Sequence, residues 1–131
     1  MPRYTINLYA VLVLLLVSCS NQPQKNEIII LNEAQELAKL VSEDVQIVDV
    51  RTASEYAAGH IANAQLITLQ DEKFLKKMES LDKEQPLIVY CEVGGRSSRA
   101  IDKISNLGFK QIYNYKGGMQ NWRGEDMPIE K

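Results

Sequence analysis

Short apolar runs and amphipathic stretches take turns along most of this chain, and that alternation restricts it to a narrow class of folds. Ile28-Ile29-Ile30-Leu31 reads as a strand, and Asn32 with Gln35 three residues on matches a capping box. The helix so opened carries a stripe of Leu37, Leu40 and Val41. Gln46 to Val50 is the next strand, apolar enough to be buried on both faces. Thr52-Ala53-Ser54-Glu55 is a second capping box. The short helix it starts is expected to end at Gly59, in the left-handed conformation that glycine accepts. A strand is expected over Ala64 to Thr68, then a helix over Asp71 to Leu81 with Phe74, Leu75 and Met78 facing inward. Leu87 to Cys91 is a strand. Ser97 to Leu107 is a helix with Ala100, Ile101, Ile104 and Leu107 on one face and Gly108 as its stop. Gln111 to Tyr115 is the last strand, and Gly118 to Trp122 a final helical turn. Strands alternating with helices imply an α/β domain with a mainly parallel sheet, in which ligands sit at the carboxyl ends of the strands.

One motif falls at such an end. Cys91-Glu92-Val93-Gly94-Gly95-Arg96-Ser97 follows the apolar run Pro86-Leu87-Ile88-Val89-Tyr90 and precedes a helix. Gly94 and Gly95 let the backbone turn so that successive N–H groups face inward as an anion nest, to which the following helix adds its positive N-terminal end. That arrangement stabilises a thiolate, the reactive form of cysteine. The bland alternative for Cys91 is a buried structural cysteine. Arg96 has two readings of equal weight: a cation for a bound anion, or a partner for a carboxylate such as Asp49 or Glu55 beneath the loop. Asp49 is expected to hydrogen-bond loop backbone below the site, and Arg51 and Glu55 are near enough in sequence to pair with each other. His60, after Gly59, reads as a capping or packing residue, Trp122 as core, and Lys73, Lys76 and Lys77 as a solvated helix face.

The N-terminus reads as a processing segment. Arg3 precedes an apolar run from Leu8 to Val17, 10 residues long, where a membrane span needs about 20. The run ends in Leu16-Val17-Ser18-Cys19, which resembles the lipobox of bacterial lipoproteins, whose cysteine is lipid-modified and becomes the new N-terminus. An ordinary secretory signal with a chance cysteine is the alternative. The expected organisation is a signal peptide over 1–18, a lipid-anchored tether over 19–27 and one folded domain over 28–131. Removing residues 1–18 takes away one charge, Arg3, and moves the net charge from −2 to −3. A weakly acidic chain gives no electrostatic reason to bind nucleic acid. The cysteines are Cys19 and Cys91, so a lipid on Cys19 leaves Cys91 without an intramolecular disulfide partner. Two cysteines and one histidine argue against a structural zinc site, and no metal or other cofactor is expected.

Several signatures share one order: Asp49-Val50-Arg51, Glu55-Tyr56, Gly59-His60-Ile61 with Ala64, the loop from Cys91 to Arg96, and Gly117-Gly118-Met119 with Trp122. Together these resemble a rhodanese domain over about residues 28 to 129. The resemblance implies a three-layer α/β/α fold with a five-stranded parallel sheet. It implies sulfurtransferase activity with Cys91 as the catalytic cysteine, Glu92 to Arg96 as the substrate-binding loop, and Asp49, Arg51 and Glu55 in support. The implied partners are a small sulfane-sulfur donor and a thiol or cyanide-type acceptor, or a protein persulfide, handled by a monomer. Related phosphatase domains resemble Cys-x5-Arg; here four residues separate Cys91 from Arg96 and Tyr90 stands where those commonly have histidine, which favours sulfur over a phosphoryl group. Thiosulfate-using enzymes resemble Cys-Arg-Lys-Gly, whereas Glu92 and Val93 follow the cysteine here, so persulfide or polysulfide donors are equally open. The alternative function is a binding or sensing module that registers persulfides or oxidants without turnover. The expected location is the bacterial cell envelope; Ser20 after the lipobox favours the periplasm-facing outer membrane in a diderm host.

Overall fold

A computed structural model describes residues 26–41 and 44–131. The leader, Cys19 and the tether up to residue 25 lie outside the described residues. The elements run β1 Glu27–Leu31, α1 Ala34–Val41, β2 Gln46–Asp49, α2 Ala53–Ala58, β3 Gln65–Leu66, α3 Phe74–Glu79, β4 Leu87–Tyr90, α4 Gly95–Ile104, β5 Gln111–Tyr115 and α5 Gly118–Gly124. The five strands form one sheet in the order β1-β5-β4-β2-β3, and every pairing in it is parallel. The class expected from the alternation is therefore the class observed, with parallel pairing throughout.

Side-chain alternation along the central strands builds the layers. Ile47 of β2 and Ile88 of β4 face one core with Ala34 and Leu37 of α1 and Met119 and Trp122 of α5. Val48 and Val89, one residue on, face the other core with Phe74 and Met78 of α3 and Ala100, Ile101 and Ile104 of α4. Burying each of these larger aliphatic side chains stabilises the fold by about 1.5–3 kcal/mol. All four residues of β4 are buried, so the strand that ends beside Cys91 is covered on both faces.

Local differences from the expected elements have simple causes. Helix α1 starts at Ala34, so Asn32 and Gln35 do not form the cap. Glu36 does the work instead: its Oε2 accepts the Asn32 N–H at 3.0 Å and the Glu33 N–H at 3.1 Å, while Gln35 donates to Glu125. Helix α3 spans only Phe74 to Glu79, so its inward positions are Phe74 and Met78, four residues apart; Leu75 turns to solvent, 44% exposed. The Thr52–Glu55 capping box forms as expected. Gly59 ends α2 at φ +150°, ψ 135°, a glycine-favoured geometry but not the left-handed helical one. Helix α4 begins at Gly95, two residues earlier than expected, which draws its first turn into the cysteine loop. β1 begins at Glu27, one residue into the expected tether.

Candidate active site

Tyr90 is paired in register with Asp49 on β2 and with Tyr115 on β5, and Cys91 is the next residue. The cysteine thus lies at the carboxyl tip of the central strand, with the sheet on both sides. Tyr90 faces the α1/α5 core, so the alternation turns Cys91 to the opposite face, beneath the start of α4. The thiol is free. It is only 1% exposed, yet its sulfur does not rest on apolar groups alone. The Gly94 N–H points at Sγ across 3.1 Å. Burial pushes the thiol pKa up, but hydrogen bonds from the backbone of Ser97, Val93 and Gly94 and from the Ser97 hydroxyl outweigh it, and the thiol sits below its ordinary value. The rim is open: Gly95 and Val93 are exposed, Val93 to 62%.

The amide cup is held from behind by the β5–α5 connection. The Met119 N–H donates to the Cys91 carbonyl at 3.0 Å and the Gln120 N–H to the Glu92 carbonyl at 3.1 Å. Gly118 makes this approach possible. Its φ is +62°, and a Cβ there would lie 2.4 Å from the Glu92 carbonyl oxygen. Gly94 meets the same constraint from the other side, at φ +89° with the Lys116 carbonyl 2.7 Å from where a Cβ would be. Gly117 and Gly118 thus bring α5 against the loop through its backbone, while Met119 and Trp122 bury their side chains in the core. The Trp122 indole donates to the Pro128 carbonyl.

The charged residues pair differently from the expectation. Arg51 does not pair with Glu55. Its guanidinium forks onto Asp49, with Nε 3.0 Å from both carboxylate oxygens and Nη2 2.7 Å from Oδ2, and also donates to the Gly59 carbonyl at 2.7 Å. Asp49 additionally accepts the Arg51 backbone N–H, the loop-holding role expected of it. Both residues are buried, which favours the nearest carboxylate and the most complete set of partners. Glu55 is taken by Arg96, each terminal nitrogen 2.7 Å from one carboxylate oxygen. Of the two readings of Arg96, the paired one is therefore the geometry present. Arg96 and the Thr52 cap together hold the Glu55 carboxyl down at about 2. Glu92 lies between Arg51, 3.2 Å away, and Arg123, to which it is hydrogen-bonded. His60 stacks on Tyr56 with ring centroids 3.7 Å apart and places Nδ1 3.0 Å from the Tyr56 carbonyl, a packing and capping role.

The family profile described as Rhodanese-like domain matches residues 33–125. The chain belongs to the rhodanese-like domain family. A thiosulfate sulfurtransferase, GlpE, of Coxiella burnetii is 38% identical over 91 residues, covering 70% of this chain and 81% of that one. The crystal structure of a rhodanese-like domain protein from Staphylococcus aureus superposes with a TM-score of 0.63 at 33% identity, covering 80% of this chain and 99% of that one. A rhodanese-related protein from Thermoplasma volcanium gives a TM-score of 0.67 at 28% identity, covering 79% and 97%.

Three residues around this rhodanese-like loop were given no role from the sequence. Ser97 is buried; its hydroxyl lies 2.9 Å from Asn114 Oδ1 and 3.1 Å from the Gly94 carbonyl. Asn114, on β5, in turn donates to Ser98. A hydroxyl residue directly after Arg96, at the start of the helix, was the available signal for Ser97. Arg123 had none, since its contact with Glu92 spans 31 residues.

Proposed function

We propose that this chain is a sulfurtransferase that carries a sulfane sulfur on Cys91 as a persulfide. The observation that supports this reading most directly is the ring of amide N–H groups around a thiol of lowered pKa, at the carboxyl end of β4 in a rhodanese-like domain. In the first half-reaction the Cys91 thiolate attacks the outer sulfur of the donor. A new S–S bond forms, the donor's S–S bond breaks, and the leaving group departs with the electron pair, as sulfite from thiosulfate or as a thiolate from a persulfide. In the second half-reaction a thiolate or cyanide attacks the terminal sulfur, and the pair from the broken S–S bond returns to Cys91. Neither half-reaction needs an outside oxidant or reductant. The amides that stabilise the thiolate also suit a persulfide anion, whose outer sulfur extends toward the exposed rim. Four residues between Cys91 and Arg96 make a cup suited to one sulfur atom.

The test is intact mass after exposure to a sulfane donor. The full chain gains one sulfur atom and the Cys91→Ser variant does not; equal uptake by the variant rejects the reading.

The 1% exposure of Cys91 favours a second reading, in which the thiol loads once and reports persulfides without turnover. Sustained turnover with cyanide excludes it.

The same proposal places the domain at a membrane. Residues 1–18 are a lipoprotein signal peptide, Cys19 carries the lipid, and the monomeric domain faces the periplasm from the outer membrane of a diderm host. Cys19→Ala should leave the membrane fraction; continued sedimentation with membranes refutes the anchor.

A further inference from the structure

Arg51, Arg96 and Arg123 each face a carboxylate, respectively Asp49, Glu55 and Glu92. A doubly anionic donor that draws on one of these arginines has to win it from its carboxylate. They are not equally available. Arg51 has a side chain only 2% exposed and is pinned by the Asp49 fork and the Gly59 carbonyl. Arg96 is held by two matched bonds to Glu55, whose other partners fix it in the α2 cap. Arg123 comes from the last turn of α5, is 44% exposed, and its described partner among the acidic groups is Glu92. Glu92 keeps Arg51 as a second cation if Arg123 leaves. Exposed ion pairs exchange partners at little cost, whereas breaking a buried pair strands a charge.

Resting on the sulfurtransferase reading, we infer that Arg123 is the specificity-determining residue for the charge of the donor. It leaves Glu92 to meet the second negative charge of a dianionic donor, and the Glu92–Arg123 pair sets how well such donors compete with singly charged ones. Glu92 is then a competitor for the same cation, and its location next to Cys91 is what makes the competition effective.

The measurement is the ratio of second-order rate constants for loading Cys91 from thiosulfate and from methanethiosulfonate, read by mass on the full chain. The two donors present the same sulfane sulfur and differ by one charge. Glu92→Gln removes the competitor and raises the thiosulfate:methanethiosulfonate ratio about tenfold; Arg123→Gln lowers it about fivefold, and Arg123→Lys restores most of that loss. The double variant Glu92→Gln/Arg123→Gln has a ratio no higher than Arg123→Gln alone. A gain that survives in the double variant overturns the inference, because the charge then comes from another cation such as Lys116 or Arg96. An unmoved ratio in both single variants overturns it as well. Failure of the unsubstituted chain to load from either donor rejects the sulfurtransferase reading itself; normal loading with an unmoved ratio rejects only the role of Arg123.

Discussion

Arg96 turns its guanidinium to Glu55, not to Cys91: both terminal nitrogens sit 2.7 Å from the two carboxylate oxygens. The pair ties the first turn of α4, and with it the cysteine loop, to the cap of α2. Its consequence is a pH-dependent brace. The Glu55 carboxyl is held at about 2 in the folded chain, below its ordinary 4.5. A depressed carboxyl pKa stabilises the fold above the unfolded value, and that stability is lost as pH falls from about 4.5 toward 2. The Glu55 side chain is 32% exposed, so the contribution is about 1–2 kcal/mol after screening. Urea unfolding at pH 7 and pH 3 should show a stability loss that is smaller in Glu55→Gln; an identical loss in both chains refutes the brace.

The Cys91 thiol should ionise below the ordinary value for a cysteine. Thiolate absorbance followed against pH gives the midpoint without requiring a reagent to enter the cup. Ser97→Ala removes the hydroxyl that holds the Gly94 carbonyl and Asn114 beneath the loop and helps to keep the thiol low, and moves the midpoint up, while Ser97→Thr keeps it. A midpoint that rises equally in both variants would mean that packing, not the hydroxyl, sets the ionisation.

Two glycines with positive φ make an internal control for the loop's support. Gly118→Ala places a Cβ 2.4 Å from the Glu92 carbonyl, whereas at Gly108, φ +88°, nothing lies within 4 Å. Gly108→Ala should cost only the backbone strain, about 1–2 kcal/mol. Gly118→Ala should cost about 2–4 kcal/mol and also slow sulfur loading, since the collision lies at the loop itself. Equal costs, or loading unaffected at Gly118, would show that the connection does not brace the cup.

The Arg51–Asp49 pair is buried on both sides. Removing one partner strands the other, so Asp49→Asn should destabilise by about 3–5 kcal/mol in urea unfolding. Replacing both, as Asp49→Leu with Arg51→Met, should recover part of that loss. A double variant less stable than Asp49→Asn would contradict the stranded-charge account.

The fold class was readable because the signals that carry it are local and periodic. Apolar runs such as Leu87 to Tyr90 and the Thr52–Glu55 cap specify their own conformation, and the position of Cys91 at a strand tip followed from them. Ion pairing was not readable in the same way. Arg51, Arg96 and Glu92 each had several carboxylates or cations within plausible reach, and the choice among them depended on where β2, α2, α4 and α5 meet. Glu92 illustrates this: its partner Arg123 comes from an element whose approach is fixed by Gly118. Leu75 failed for a different reason, because a helix of one and a half turns offers fewer inward positions than its apolar content suggests.

Among the described residues the first strand, β1, pairs with the last, β5, and the amides of Met119 and Gln120 that brace the cysteine loop from behind come later still. During synthesis, then, the cysteine loop lacks its backing until residues 119 and 120 have emerged. A nascent or truncated chain ending before residue 119 carries the cysteine loop without that backing, and completes it only once β1 has paired with β5 and α5 has followed.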